Sequence, residues 1–100
     1  MRSYLNNLHK AFENRIRLGV MSALAVNESV DFNTLRDLLG VTDGNLASHL
    51  KSLEKVKFIE VKKTFVGRKP NTSYVMTKAG KKAFEEHLDA LEKLIKEQSR

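Results

Sequence analysis

The feature that most restricts the fold of this chain is a pair of predicted helices separated by only three residues. Asn33 is a residue type that caps helices, and we expect it to begin a helix over Thr34–Leu39. Gly40 follows directly, and glycine commonly ends a helix because it adopts the left-handed conformation without strain. Thr42 is the next capping residue, and we expect it to start a longer helix that reaches about Val56. A short helix, a tight turn and a longer helix are therefore predicted in direct succession.

The longer predicted helix has one apolar face and one small, polar face. Leu46, Leu50 and Leu53 share the apolar face, because successive helical residues turn by about 100°. Small residues on the other face would let the helix approach a DNA major groove, where Ser, Asn and Lys side chains bind base edges or phosphates. A solvated helix face explains the same residues equally well when they are taken alone. The outward positions are Gly44, Ser48, Lys51, Ser52 and Lys55, with Asn45 and Ala47 beside them.

Two runs rich in β-branched and aromatic residues follow this helix, Phe58–Val66 and Ser73–Thr77. The connection Gly67–Thr72 is rich in turn-forming residues and contains the only proline of the chain, Pro70. We therefore predict a β-hairpin directly after the two helices. A short strand is predicted earlier, over Ser29–Phe32.

The net charge of +6 is concentrated around this hairpin and favours a polyanionic partner. The stretch from Val61 to Phe84 holds seven basic residues and no acidic residue, whereas the rest of the chain holds 11 basic and 12 acidic residues. An isolated basic cluster is more often a solvated surface than a binding site. Arg68 and Lys69, however, fall at the predicted hairpin tip, where no sequence neighbour pairs with them and a narrow minor groove accepts Arg. The seven basic residues are Lys62, Lys63, Arg68, Lys69, Lys78, Lys81 and Lys82.

A long helix is predicted from its capping residue Thr77 to about Glu97. Lys78, Lys81 and Lys82 lie in its first turns, where the helix dipole disfavours cations. A nearby phosphate backbone would offset that cost.

Two apolar stripes near the ends of the chain need a partner surface. One lies on a predicted helical segment over Tyr4–Phe12, which precedes a second helix over Arg15–Ala25 that Asn14 caps. The other lies on the long C-terminal helix, and each stripe could pack on the chain's own core, as most such stripes do. We favour a two-fold interface between two copies, because a helix of 20 residues reaches about 30 Å and overhangs a domain of this size. The predicted interface residues are Leu5, Leu8, Phe12, Phe84, Leu88, Leu91 and Ile95.

Four segments carry a resemblance to a known family, and the most specific are Thr42–Glu54 and Tyr74–Gly80. The other two are Arg15–Leu18 and Phe32–Leu35. Together they resemble the winged helix-turn-helix transcriptional regulators of the ArsR and MarR type, closest to the small stand-alone winged-helix DNA-binding domains. Two positions depart from the family pattern. They are Met76, in place of the usual leucine, and Lys57, where a small residue usually ends the recognition helix.

The resemblance implies a mainly α fold with a small β-hairpin wing, an α+β winged helix-turn-helix with an N-terminal helical extension and a long C-terminal dimerisation helix. We expect one domain over residues 1–100. Within it, residues 1–13 would form the extension, residues 14–77 the winged helix-turn-helix core and residues 78–100 the dimerisation helix.

The function implied is that of a transcriptional regulator that binds double-stranded DNA sequence-specifically, as a homodimer on an inverted-repeat operator. The rival hypothesis is a winged helix that binds proteins, with its basic hairpin against an acidic surface; a flat apolar patch on the longer helix would favour it. The expected DNA-binding residues of the recognition helix are Thr42, Asn45, Ala47, Ser48, His49, Lys51, Ser52 and Lys55. Those of the wing and the following helix start are Lys62, Lys63, Arg68, Lys69, Asn71 and Lys78.

Several other classes of function have no support in the sequence. The chain has no cysteine, and His9, His49 and His87 lack the spacing of metal ligands, so we expect neither a metal nor a cofactor. No phosphate-binding glycine loop or nucleophile motif is present, so we do not expect an enzyme. Without an apolar run of membrane-spanning length or an export signal, we expect a cytoplasmic protein. The sequence leaves open whether a small-molecule effector exists.

Overall fold

The computed structural model describes residues 2–98, which form mostly helices and one three-stranded antiparallel sheet of order β1-β3-β2. This architecture confirms the predicted fold class. Met1, Ser99 and Arg100, which fall in the predicted N-terminal extension and C-terminal helix, lie outside the described residues. The elements in chain order are α1 (Arg2–Asn7), a 3₁₀ helix (Lys10–Phe12), α2 (Arg15–Ala25), β1 (Val30–Asp31), α3 (Phe32–Leu39), α4 (Asp43–Lys55), β2 (Ile59–Val66), β3 (Lys69–Met76) and α5 (Lys78–Gln98).

Three of the predicted helix caps are confirmed. Asn14, Thr42 and Thr77 each accept a hydrogen bond from the backbone N–H three residues on, at 3.1, 3.2 and 2.9 Å, before α2, α4 and α5. Gly40 ends α3 with φ +62°, the left-handed conformation expected of it. The turn between α3 and α4 is thus set by residues that act locally.

The predicted cap at Asn33 is wrong. Asp31 caps α3 instead, and its carboxylate accepts a hydrogen bond from the backbone N–H of Thr34 at 2.7 Å. The extended backbone of β1 continues through Asp31, and the helix begins two residues earlier than predicted, at Phe32. Hydrogen bonding with Thr34 lowers the pKa of Asp31 below its usual value.

The predicted helical segment over Tyr4–Phe12 is interrupted. Helix α1 ends at Asn7, and His9 begins the 3₁₀ helix by accepting the backbone N–H of Ala11 on its Nδ1 at 3.1 Å. The break turns Phe12 into the protein interior, where it is 2% exposed.

The hairpin turn is tighter than predicted. Only Gly67 and Arg68 connect the strands, because Gly67 adopts φ +67° at the first position of a two-residue turn, as a type II′ turn requires. Pairing continues from Val66 opposite Lys69 down to Ile59 opposite Met76. Strand β1 pairs β3 only at Tyr74 and Ser73, so Pro70 lies where β3 is an edge strand and a missing N–H is tolerated.

The core lies between α2, α3, α4 and the base of the sheet. The apolar stripe predicted for α4 faces inward, with Leu46, Leu50 and Leu53 at most 1% exposed. They pack with fully buried side chains from the other elements, namely Val20, Met21, Leu35 and Ile59.

An aromatic cluster joins the N-terminal extension to α5. The ring of Phe12 lies 5.4 Å from that of Phe84, edge to face, and 5.6 Å from that of Phe58. The backbone N–H of His9 donates to Nδ1 of His87 at 2.9 Å. Burial, together with the neighbouring His9, lowers the pKa of His87 below its usual value, which favours the neutral ring that this bond requires.

Phe12 and Phe84 therefore belong to the core of one chain, and their predicted place in a dimer interface is wrong. The predicted α5 stripe exists as a helix face, but only its first member, Phe84, reaches the core. Leu91 lies two turns further along, about 10 Å away, beyond the core. Helix α1 packs on the adjacent face of α5 and leaves the rest of the predicted stripe exposed.

The start of α5 is held against the end of α4. Lys57 leaves the helix in the left-handed conformation, with φ +63°, although it is not a glycine. Its carbonyl accepts the hydroxyl of Thr77 at 2.6 Å, and the carbonyl of Phe58 accepts the backbone N–H of Thr77 at 3.1 Å. Gly80 faces the Phe58 carbonyl so closely that an added Cβ would lie 2.1 Å from its oxygen.

Within residues 2–98, no helix combines the length and apolarity needed to span a membrane.

Replacing Gly80 by alanine should destabilise the protein by about 1–3 kcal/mol, because the Phe58 backbone must move to admit the methyl group. Gly44→Ala is the matched control: it is also helical but has no atom within 4 Å of the new Cβ, and it should stabilise the fold by about 0.5–1 kcal/mol through helix propensity. The free energies of unfolding in urea measure both. A Gly80→Ala variant as stable as the wild type would contradict the tight contact at Phe58.

Candidate nucleic-acid interface

The outward face of α4 is small, polar and basic. Among the predicted recognition-helix residues, Ala47 and His49 are half-buried at the edge of this face. The Thr42 hydroxyl is engaged as the helix cap, and the Ser52 hydroxyl donates to the carbonyl of Ser48 at 3.2 Å. The exposed members are Thr42, Asn45, Ser48, Lys51, Ser52 and Lys55.

The wing, defined as β2, the Gly67–Arg68 turn and β3, projects away from the core. Ile59 is the only buried residue of β2, and the seven residues after it are exposed. At about 3.3 Å per residue, the strand extends roughly 23 Å beyond Ile59. Arg68 occupies the turn at its end.

A cleft of about 550 Å³ separates α4 from the wing and brings several predicted residues together. Ala47 and Lys51 line it from α4, while Lys63 and Asn71 line it from the wing. Phe32 and Asn33 at the start of α3 form part of its wall. The predicted recognition helix and the predicted wing thus face each other across one cleft.

Two of the predicted wing residues, Lys62 and Lys78, line other grooves instead. Side chains alternate between the faces of a strand, so Lys62 points opposite to Lys63 and lines a groove that also contains Glu28 and Asp31. Lys78 lies at the base of the wing, in a groove bordered by Glu54, whose side chain also lines the cleft. Lys62 therefore faces away from α4, although it is next to Lys63 in sequence.

Arg17 braces the recognition helix, and the sequence analysis missed it. Its Nε donates to the carbonyl of Ala11 at 2.6 Å, and its Nη1 lies 3.2 Å from Nδ1 of His49. A guanidinium only donates, so a hydrogen bond between these two atoms requires Nδ1 of His49 to accept. Arg17 therefore ties α2 and the 3₁₀ helix to α4. No local signal distinguishes it from the other cations of the chain, because its partners lie 6 and 32 residues away.

A second tie connects α3 to the start of α4. The guanidinium of Arg36 contacts Asp37 at 3.2 Å and Asp43 at 3.0 Å. Both carboxylates are exposed, so the contribution of these ion pairs to stability is small. Only the pair with Asp43 connects the two helices on either side of Gly40.

Within residues 2–98, no three His, Asp or Glu side chains are grouped as ligands of a metal ion.

Comparison with known proteins places this geometry in a family. Residues 16–95 match the winged helix DNA-binding domain family. An uncharacterised protein of Methanocaldococcus jannaschii is 34% identical over 87 residues, covering 87% of this chain and 95% of that protein.

Solved structures share the fold. The structure of a transcriptional regulator homologue from Pyrococcus horikoshii is 27% identical and superposes with a TM-score of 0.88, covering 98% of this chain and 99% of that one. An ArsR family transcriptional regulator superposes with a TM-score of 0.59 at 19% identity, covering 100% of this chain and 96% of that one. Each of these two neighbours is described as a transcriptional regulator or a homologue of one. With four-fifths of its residues matched, the chain belongs to the winged helix DNA-binding domain family.

Proposed function

We propose that this chain regulates transcription as a homodimer that binds an inverted repeat in double-stranded DNA. The observation that carries the proposal is the cleft between α4 and the wing, with Lys51 on one wall and Lys63 on the other. With α4 in a major groove, the intervening phosphate strand would pass through this cleft and the wing would reach the adjacent minor groove. The proposal treats residues 1–100 as one domain, which acts in the cytoplasm.

The distribution of charge supports DNA as the partner. Between Val61 and Met76 every charged residue is basic, and all four are exposed. Two further lysines, Lys51 and Lys55, lie on the outward face of α4. Phosphate contacts of this kind position a protein on DNA, while base edges are read by side chains such as Asn45 and Ser48.

The protein-binding alternative has little support. It requires a flat apolar patch on the helix predicted over Asp43–Val56, but Val56 at its end is the one large apolar residue exposed there. The small polar residues of that helix suit a groove lined by base edges and phosphates better than an apolar protein surface.

The outer face of α5 supports dimerisation. Leu88, Leu91 and Ile95 are 45%, 43% and 59% exposed and form one apolar stripe three and four residues apart. Ion pairs flank the stripe, Asp89 with Lys93 at 3.0 Å and Glu92 with Lys96 at 2.6 Å. Leu5 on α1 is also exposed and Leu8 is half-buried, so both remain available to extend the interface, unlike Phe12 and Phe84. A two-fold axis would bring the same stripe of a second copy against the first.

The wild-type protein should enrich an inverted repeat from a randomised DNA pool, with half-site centres about 10 base pairs or about 34 Å apart. Asn45→Ala or Ser48→Ala should then weaken binding to the enriched duplex by about 1–3 kcal/mol and barely affect a random duplex, because base contacts carry the specificity. Fluorescence anisotropy with both duplexes measures this difference. An equal loss on the two duplexes would mean that α4 does not read the bases.

Binding should weaken steeply with salt, with a slope of log K against log salt of roughly −4 to −8 per dimer. Replacing Arg68 and Lys69 by alanine removes four cations per dimer and should flatten the slope by up to about 3.6. The Lys10→Ala, Arg15→Ala double variant removes the same charge at exposed positions outside the proposed interfaces and should change the slope little. A binding constant that is insensitive to salt would exclude the electrostatic part of the proposal.

Changing Leu88 and Leu91 together to glutamate should yield a folded monomer. Desolvating the four carboxylates of such a dimer would raise the free energy of association by roughly several kcal/mol. Sedimentation should report the monomer, circular dichroism should retain the helical signal, and affinity for the enriched duplex should fall. Leu38→Glu is the control, since Leu38 is equally apolar and 65% exposed on α3. Unfolding of the double variant would assign the stripe to the monomer core, and a dimer of full affinity would place the interface elsewhere.

A further inference from the structure

The tip of the wing is apolar as well as basic. Phe65 and Val66, the last two residues of β2, are 73% and 68% exposed. Arg68 and Lys69 follow within three residues. Phe65 lies outside the apolar core, and the ring contacts described within residues 2–98 do not include it. The core therefore gives no reason for an aromatic residue at this position.

The strand register places Phe65 on the wing face that looks toward α4. Residues directly opposite each other share a face, so Phe65 lies with Pro70, and Lys63 lies with Thr72. Lys63, Pro70 and Thr72 line the cleft against α4. Phe65 continues this face to the tip, about 20 Å beyond Ile59. The face that borders the cleft thus ends in an apolar pair, Phe65 and Pro70.

Strand propensity by itself does not account for the arrangement. Aromatic residues favour strands, and a Phe–Pro pair helps a two-stranded ribbon, but a β-branched polar residue would serve the strand as well. Single exposed apolar residues are common on protein surfaces. At this tip, exposed Phe65 and Pro70 on one face and exposed Val66 on the other are combined with two cations on the element proposed to contact DNA.

We propose that Phe65 is a wedge that enters the minor groove beside each half-site, partly unstacks one base step and bends the DNA. This inference rests on the proposed DNA-binding function. Minor-groove proteins insert Phe, Leu or Pro between base steps next to Arg and Lys, and kink the duplex by about 20–90°. Pyrimidine–purine steps unstack most easily, so the wedge selects a TA or CA/TG step at a position that no polar side chain reads.

The charge of the tip favours DNA over other occupants. Lys63 shares the face of Phe65, Arg68 lies in the turn, and Lys62 and Lys69 lie on the opposite face of the wing. No acidic residue lies between Val61 and Phe84. A second copy of the same tip would bring like charges together, which disfavours pairing of two wings. A minor groove attracts these cations, most strongly where it is narrow.

Three variants separate the wedge from the strand. Phe65→Thr keeps a residue of high strand propensity and removes the apolar wedge, whereas Phe65→Leu keeps an apolar side chain that can insert. Leu38→Thr is the matched control, an exposed apolar residue on α3 outside the proposed interface. All three retain Arg68 and Lys69, so an unchanged salt dependence of binding shows that the wing is intact.

The probe is the duplex enriched from a randomised pool by the wild-type protein, with end-attached fluorophores for energy transfer and 2-aminopurine at the step beside the half-site. We expect the wild type and Phe65→Leu to bend it by at least about 20° and to raise the 2-aminopurine fluorescence. Phe65→Thr should lose most of both signals and bind about tenfold more weakly. Leu38→Thr should behave as the wild type.

A parallel enrichment with Phe65→Thr distinguishes failure of the wedge from failure of the DNA-binding function. The inverted half-sites report the function, and the flanking pyrimidine–purine step reports the wedge. We expect Phe65→Thr to retain the half-sites and lose the flanking preference. Equal bending, equal 2-aminopurine signal or an equal flanking preference in wild type and Phe65→Thr would overturn the wedge. Loss of binding to anionic phospholipid vesicles in Phe65→Thr, with DNA bending unchanged, would overturn it in favour of a membrane surface.

Discussion

Two carbonyl groups just after α4 hold the start of α5 and the base of the wing against the end of the recognition helix. Thr77 donates its hydroxyl to the carbonyl of Lys57 and its backbone N–H to the carbonyl of Phe58, at 2.6 and 3.1 Å. Strand β2 begins beside this point and β3 ends there, so the same bonds close the base of the wing. They also set where α5 begins, and Gly80 allows that helix to lie directly against the Phe58 backbone. One small junction therefore determines how the recognition helix, the wing and α5 are arranged relative to one another.

The direction in which α5 leaves this junction determines which of its apolar residues are buried and which stay exposed. Phe84 falls within the aromatic cluster of Phe12 and Phe58, while Ala90 and Leu94 are buried on the face where α1 packs. The outer stripe of Leu88, Leu91 and Ile95 remains exposed because the helix has passed the core by then. The bond from His9 to His87 ties the N-terminal extension to the same helix. The face of α5 that packs within the chain is thus adjacent to the face that is proposed to bind a second copy.

The candidate interface was predictable in outline and not in detail. The helical period assigned the inward leucines and the outward polar residues of α4 because that period is a property of the backbone. Alternation along a strand puts Lys62 and Lys63 on opposite faces, but which of them borders α4 depends on how the sheet packs on the core. Arg17 reaches His49 across 32 residues, and Phe65 became notable only once its exposure at the tip was visible. Neither residue has a neighbour in sequence that signals its role.

The sequence by itself determined the features whose physical cause is local. The caps at Asn14, Thr42 and Thr77, the left-handed ends at Gly40 and Gly67 and the apolar face of α4 all follow from residues within a few positions of each other. Only the tertiary structure decided that Phe12 and Phe84 meet in the core, that Asp31 rather than Asn33 caps α3, and that Lys63 rather than Lys62 borders the recognition helix. These features depend on which surfaces, distant in sequence, are buried against each other, and on where β1 and the wing leave the core. An apolar stripe is equally suited to its own core and to a second copy until the packing of the other elements has covered one of its sides.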